Sequence, residues 1–484
     1  MVFSSTIFLF LFLPFVLLSY LLVGQRFRNM LLLAASLLFY AWGEGLYVLL
    51  MLFSITFNHI FGLLIDRAQQ GGGTGKTALV LAVITNLGLL GFFKYANFIV
   101  DNCNTVLLKL QMPVIALEQV HLPIGISFFT FQALSYVIDL YRRETPVQKS
   151  LVNNALYIAL FPQLIAGPIV RFHDVASQIV KRQTRMGDFI YGIERFIIGL
   201  GKKVLLANVL GRTADYIFSL PPDRIPMSLA WIGAISYTLQ IYFDFSGYSD
   251  MAIGLGKMFG FTFLENFKHP YSSRSIREFW QRWHISLSSW FRDYLYIPLG
   301  GNRCGGVRTY LNLLIVFFLC GLWHGASWTF VIWGLFHGFF LVFERLPLGK
   351  HLINILPSPL RHLYVLLVVI VGWVFFRAET FANALGYLKA MVTFSTPSFY
   401  NSQLFLNINN EFYLVFVLAI LCSTPMFATI GKWLEALEFR KTAGGLLASL
   451  TIAIGTVGFF SFIFLYSIAN LMGSTYNPFL YFRF

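Results

Sequence analysis

The sequence predicts an all-α, multi-pass membrane protein, and three observations carry that prediction. Of 484 residues, 57% are hydrophobic and only 12% charged, against about 25% charged in ordinary soluble domains. Uncharged apolar runs recur from Ile7 to Met472 with no polar linker between them. Most are too long for barrel strands, and in lipid a backbone must satisfy its own hydrogen bonds, which leaves helices.

Taken in order, Ile7–Val23 is uncharged and contains Pro14. No basic region precedes it, so it reads as a first membrane helix rather than a cleaved signal. Further spans are expected near Met30–Trp42, Leu46–Ile65, Ala78–Phe93, Leu122–Ile138, Leu151–Ile169 and Leu229–Tyr242. Later ones fall near Leu311–Leu322, Phe330–Val342, Leu363–Phe376, Leu414–Ile430 and Leu446–Met472, with Phe189–Val209 as an amphipathic candidate. The total is roughly eleven to thirteen segments in a single domain over 1–484, some of them re-entrant or interfacial.

Lys and Arg number 35 against 21 Asp and Glu. The basic residues are scattered between apolar spans, which suits cytoplasmic loops under the positive-inside rule and argues against nucleic acid. Arg26 and Arg28, Arg67 and Lys76, and Arg142, Arg143 and Lys149 mark three such loops. The richest basic stretch, 268–310, interleaves Arg with Trp280, Trp283, Trp290, Phe291 and Tyr294. That mixture suits rings at headgroup level and snorkelling basic chains at a membrane interface. The four cysteines form no C-x-x-C pair, and neither a zinc knuckle nor another metal site is expected.

Several motifs mislead. Gln70–Thr77 nearly matches a phosphate loop, but Gln70 replaces its first Gly and it joins two spans. Gly254–Gly260 misses the dinucleotide spacing by one residue. No G-x-S-x-G elbow is present.

The informative residues are histidines in apolar surroundings: His324 in Gly321–Ala326, His337 thirteen residues on, and His284 in the basic aromatic stretch. A histidine at membrane depth is either packed and satisfied or faces a cavity, where neutral imidazole serves as a general base. Asp244 and Asp250, at the end of an apolar run, are expected to pair with Arg or Lys. The tail Tyr476–Phe484 suits an interface anchor or a segment that enters a cavity.

The blocks Arg282–Ser288, Trp290–Tyr296, Leu299–Arg303 and Gly321–Gly325 resemble the membrane-bound O-acyltransferase family, in its alginate and peptidoglycan O-acetyltransferase branch. Phe243–Asp250, Leu122–Phe128, Phe161–Pro168 and the opening Met1–Ser5 are similar as well. The resemblance spans nearly the whole chain and weakens from about Pro359 to Leu471.

It implies a helical bundle around a central funnel or tunnel, in a bacterial inner membrane. It implies acetyl-CoA as donor, bound from the cytoplasm, with Arg282, Trp283, Arg292, Asn302 and Arg303 as binding residues. His324 matches the family's signature histidine and His284 its second. The tail, 476–484, resembles an aromatic motif in related envelope-acylation systems, in which Tyr481 would carry the acetyl group to an extracytoplasmic SGNH-hydrolase-like partner and so to a polysaccharide. A phenol with a reference pKa near about 10 needs a base to attack and leaves readily afterwards, which suits a relay. D-alanyl transfer by the same fold and a proton-coupled transporter are the rival readings.

Overall fold

The computed structural model describes residues 1–394, 407–427, 429–431 and 445–478, and all regular structure among them is helical. Phe8–Leu22 forms α1, whose first part, Phe8–Phe12, is π-helical and passes into the α-helix directly before Pro14. Arg28–Glu44 (α2) and Val48–Gln70 (α3) follow. A 3-10 turn at Gly45–Tyr47 separates them. The continuous helical run Gln25–Gln70 has 46 residues, far beyond the roughly 20 that one crossing needs. It is therefore two crossings.

Lys76–Lys109 (α4) reaches well past the expected Phe93. The Gly-rich stretch before it is a tight turn, with Gly72 and Gly75 at positive φ. Asn58 of α3 and Asn86 of α4 exchange amide hydrogen bonds of 3.1 and 2.8 Å, a polar fastening between apolar helices. Ile126–Tyr141 (α5) starts four residues later than expected, because Leu122–Gly125 is a non-helical entry that ends in a turn at left-handed Gly125 and lines a cavity. The predicted span Leu151–Ile169 breaks into Leu151–Ala159 (α6) and Phe161–Leu164 (α7). Pro162 cannot continue the helix hydrogen bonding of α6, so the chain bends there. Phe172–Val180 (α8) is short and amphipathic.

Met186–Gly201 (α9) passes through a π-helical turn, Lys202–Ala207, into Asn208–Ser219 (α10). Met227–Met258 (α11) is a 32-residue helix that carries Asp244 and Asp250 through the centre of the bundle. Helices α9 and α11 cross at glycines. A Cβ on Gly192 would stand 2.6 Å from the Gly254 carbonyl, and one on Gly199 2.5 Å from that of Gly247. Backbones approach this closely only where side chains are missing.

Ile276–Arg282 (α12) and Ile285–Phe291 (α13) are short. Gly306–His324 (α14) and Trp328–Arg345 (α15) form a hairpin with a second glycine seam, Gly321 against Gly334. Pro347–Ile355 (α16) bends away by 81°. Ser358–Arg377 (α17), Phe381–Val392 (α18), Asn410–Ser423 (α19) and Gly445–Gly473 (α20) complete the described fold. Helix α19 stops short of the expected Ile430, two residues before Pro425. Among the described residues, five helical runs are long and apolar enough to cross a bilayer, six if α15 and α16 count as one. The other expected segments are shorter, broken or carry too much charge.

Basic residues cluster where α1 meets α2, α3 meets α4 and α5 ends, all at one end of the bundle. The loop 110–125 and the α2 end, joined by Glu44 and His121 at 3.2 Å, lie at the opposite end.

Candidate active site

His324 is the last residue of α14 and only 6% exposed. Gly325 follows in extended backbone and ends the helix. A Cβ on Gly325 would strike the Phe330 ring at 2.2 Å, so only glycine lets α15 fold back against the histidine. The His324 ring stands edge-on to Trp323, Trp333 and Phe376, at 4.9, 4.9 and 5.3 Å.

His284 is fully buried between α12 and α13, with φ of 43°. A left-handed, non-glycine residue breaks the helix there and turns its side chain inward. Asn266 holds it: the amide Oδ1 lies 3.2 Å from His284 Nδ1 and accepts from the Ser286 backbone N–H at 3.1 Å. An N–H only donates, so the amide atom is oxygen, and His284 Nδ1 must carry the hydrogen. Nε2 is then the acceptor nitrogen. His284 and His324 both flank the Trp323 indole, at 6.1 and 4.9 Å, so the structure brings together two of the three histidines that the sequence singles out.

A cavity reaches His324 from the end of the bundle that carries the loop 110–125. Its inner chamber, about 90 Å³, is bounded by Lys94, the loop and first turn of α5 over 122–128, Ile165, Trp323 and His324. Lys94 and Leu122 also bound an outer cavity of about 660 Å³, with Asn97, Asp101, His121 and Ser327 on its wall. His337 lines neither. It is fully buried against Trp280, Trp333 and Phe279, with no hydrogen-bond partner for either ring nitrogen among the described residues.

The basic aromatic stretch differs from its expected place at headgroup level. Trp280, Trp283, Trp290, Phe291 and Tyr294 are all buried. Trp290 stacks on Phe131 at 3.7 Å and donates to the Phe131 carbonyl at 3.1 Å. The rings fill the space beside α5 and α15 that short helices leave open, and burial there removes more apolar area from water than an interface would. Trp283 is likewise interior, against Phe267, Phe279 and Trp373.

Arg282 pairs with Glu278 at 2.6 Å and donates to Ser272. Arg292 pairs with Asp293 at 2.7 Å, Asn302 accepts from Tyr296 and Arg345, and Arg303 is exposed. None of these five residues lines the cavity at His324.

A polar brace ties this stretch to the bundle. Buried Asp139 accepts from Tyr294 at 2.5 Å and from His173 at 2.9 Å, while Arg171 bridges Asp174 and Asp293. The hydrogen bond to Asp139, then that to Asp174, raises the His173 pKa to about 9, so the ring is a cation at neutral pH.

Asp244 and Asp250 are paired as the sequence suggested, with Lys203 at 2.6 Å and with Lys202 and Arg195 at 2.6 Å each. Lys203 does more: its ammonium also donates to the Pro478 carbonyl of the tail. Asn477 is held by Ser4 and Asn208, and Tyr476 donates to Asp215 at 2.7 Å. Tyr481 lies outside the described residues.

Three site residues escaped the sequence reading. Lys94 falls just beyond the Ala78–Phe93 run and looks like its boundary, and Lys203 sits in an amphipathic stretch where lysine is ordinary. Asn266 carries no motif. A lone cation followed by further apolar helix was the available signal for Lys94.

Comparison with known proteins fixes the class. The family model described as MBOAT, membrane-bound O-acyltransferase family, matches residues 115–349. The chain belongs to this family and is a multi-pass membrane O-acyltransferase. It is 49% identical over 396 residues to the probable alginate O-acetylase AlgI of Pseudomonas aeruginosa, covering 82% of this chain and 76% of that protein. It is 43% identical to the protein of the same description in Pseudomonas putida, over the full length of both. It is 37% identical over 428 residues to the peptidoglycan O-acetyltransferase of Helicobacter pylori, covering 81% and 80%.

Proposed function

We propose that the chain moves acetyl groups from cytoplasmic acetyl-CoA, across a bacterial inner membrane, to an SGNH-hydrolase-like partner that O-acetylates an exopolysaccharide or envelope polymer. The observation that carries this reading is the tail. Tyr476, Asn477 and Pro478 are held by side chains of the bundle, one of them the nearly inaccessible Lys203, rather than lying free on its surface. The route taken by 476–478 is what a relay through Tyr481 requires.

The chemistry follows from the two histidines. The Tyr481 phenol oxygen attacks the thioester carbonyl carbon, and its proton passes to His324. His284, its tautomer fixed by Asn266, assists through Nε2. The C–S bond breaks, and the thiolate recovers the proton as free CoA. Acetyl-tyrosine then gives its acetyl to a hydroxyl of the partner, with phenolate as leaving group. Likeness to two alginate O-acetylases and a peptidoglycan O-acetyltransferase supports acetyl as the group carried.

Purified protein given radiolabelled acetyl-CoA tests the donor. Wild type is expected to consume it and His324→Ala to leave it intact. Inert wild type that instead accepts D-alanine from a carrier protein would overturn the donor assignment.

A further inference from the structure

Lys94 and Lys203 are the two buried lysines among the described residues, and of the two only Lys203 has a carboxylate partner. Lys203, Lys202, Arg195 and Arg377 each pair with an aspartate within 2.8 Å. Lys94 is 7% exposed, on a helix that crosses the membrane, and has no carboxylate within ion-pair distance among the described residues. Its Nζ donates to Ser127 Oγ at 3.2 Å and to the Trp323 backbone carbonyl, and lies 5.7 Å from the centre of the Trp323 ring. An ammonium has three N–H donors, so one remains beyond these two acceptors. An unpaired charge at membrane depth is costly and ordinarily marks a ligand path. This one lies on the wall shared by the inner chamber at His324 and the outer cavity.

We infer that Lys94 is an oxyanion-stabilising catalytic residue, a cation placed beside His324 to meet negative charge on the acetyl oxygen. The inference rests on the acyl-transfer reading above and deepens it. Attack by an oxygen nucleophile forms the new C–O bond and moves the carbonyl π pair onto oxygen, while His324 holds the nucleophile's proton. Collapse restores the C=O bond, expels thiolate or phenolate, and returns the proton to that leaving group. In its ammonium form Lys94 gains and loses no proton in these steps. Its charge acts most strongly while the oxygen is an anion, and in a small chamber walled by protein that difference is larger than in bulk water. A neutral side chain would have served if capping the Trp323 carbonyl were the whole role.

The test uses full-length protein, acetyl-CoA consumption and thermal melting. Lys94→Met and Lys94→Gln are expected to bind acetyl-CoA with unchanged KM and to lose about a hundredfold to a thousandfold in kcat. Gln keeps donors for Trp323 and Ser127, so its loss separates charge from capping even if the Met variant folds poorly. Lys94→Cys treated with 2-bromoethylamine, which rebuilds an ammonium, is expected to regain activity, while iodoacetamide is not. Alkylated wild type controls for the native cysteines.

Wild-type kcat in Lys94→Gln, or equal rescue by iodoacetamide, would overturn the proposal. A raised KM with kcat kept would overturn it too, by assigning Lys94 to binding of a ground-state anion. Wild type inert toward acetyl-CoA would instead bring down the acyl-transfer reading, and this inference with it.

Discussion

Lys203→Met is the most informative single change in the bundle. The lysine side chain is 3% exposed, as is that of its partner Asp244, and the two lie 2.6 Å apart. Methionine fills similar space without a charge, so packing is largely conserved. The buried carboxylate loses its ion pair, which costs about 3–5 kcal/mol. The Pro478 carbonyl loses its donor, about 1 kcal/mol more. The expected loss is therefore about 4–6 kcal/mol, together with release of the tail.

Melting in detergent, followed by a thiol dye that reports exposure of buried Cys320, reads the stability term. Acetyl transfer reads the tail. Adding Asp244→Asn removes the buried carboxylate's charge and should recover most of the melting temperature, but not the transfer rate, because the tail still lacks its Lys203 pin. A single variant that melts like wild type would refute the energetic argument. A double variant that regains both properties would refute the link between Lys203 and the tail.

Other perturbations separate packing from chemistry. Gly334→Ala puts a Cβ 2.2 Å from the Phe317 carbonyl and must part α14 from α15. It should cost about 1–3 kcal/mol and lower kcat by displacing His324, whereas Gly338→Ala, whose nearest neighbour is a side-chain carbon at 3.1 Å, should be milder on both assays. Trp290→Ala empties the stack on Phe131 and should destabilise by about 3–5 kcal/mol in a melting comparison.

His173→Gln probes the polar brace around Asp139 by pH. The His173 pKa is raised to about 9 in the fold, so its contribution is complete below the unfolded value near about 6.5 and disappears as pH rises through about 9. The side chain is 29% exposed, and after screening the wild-type advantage should be about 1 kcal/mol at pH 6. It should vanish near pH 10, which melting curves at the two pH values would check.

Most of the architecture was legible in the sequence because apolar run length dictates helix placement. The ends of α2, α14, α15 and α17 fall within a few residues of the apolar runs. The errors have local causes. Pro162 breaks one run, Leu122–Gly125 leaves the helix to line a cavity, and α4 carries Lys94 inside because Ser127 and Trp323 solvate its ammonium. The aromatic rings of 280–294 were misplaced because Trp beside Arg reads as an interface pattern, and only tertiary contact shows them filling the interior. Of the site, His324, His284 and the pairing of Asp244 and Asp250 were accessible from residue type and setting. Asn266, Lys94 and Lys203 were not, since each acts through a partner distant in sequence.

The central claim is that the acetyl group rests on the tail. Purified protein should be exposed to isotope-labelled acetyl-CoA for a single turnover, digested, and the tail peptide weighed by mass spectrometry. The account predicts one labelled acetyl on Tyr481 in wild type and none in Tyr481→Phe or His324→Ala. Acetyl-CoA consumed by wild type with an unlabelled tail, or normal polymer acetylation by Tyr481→Phe, would contradict it.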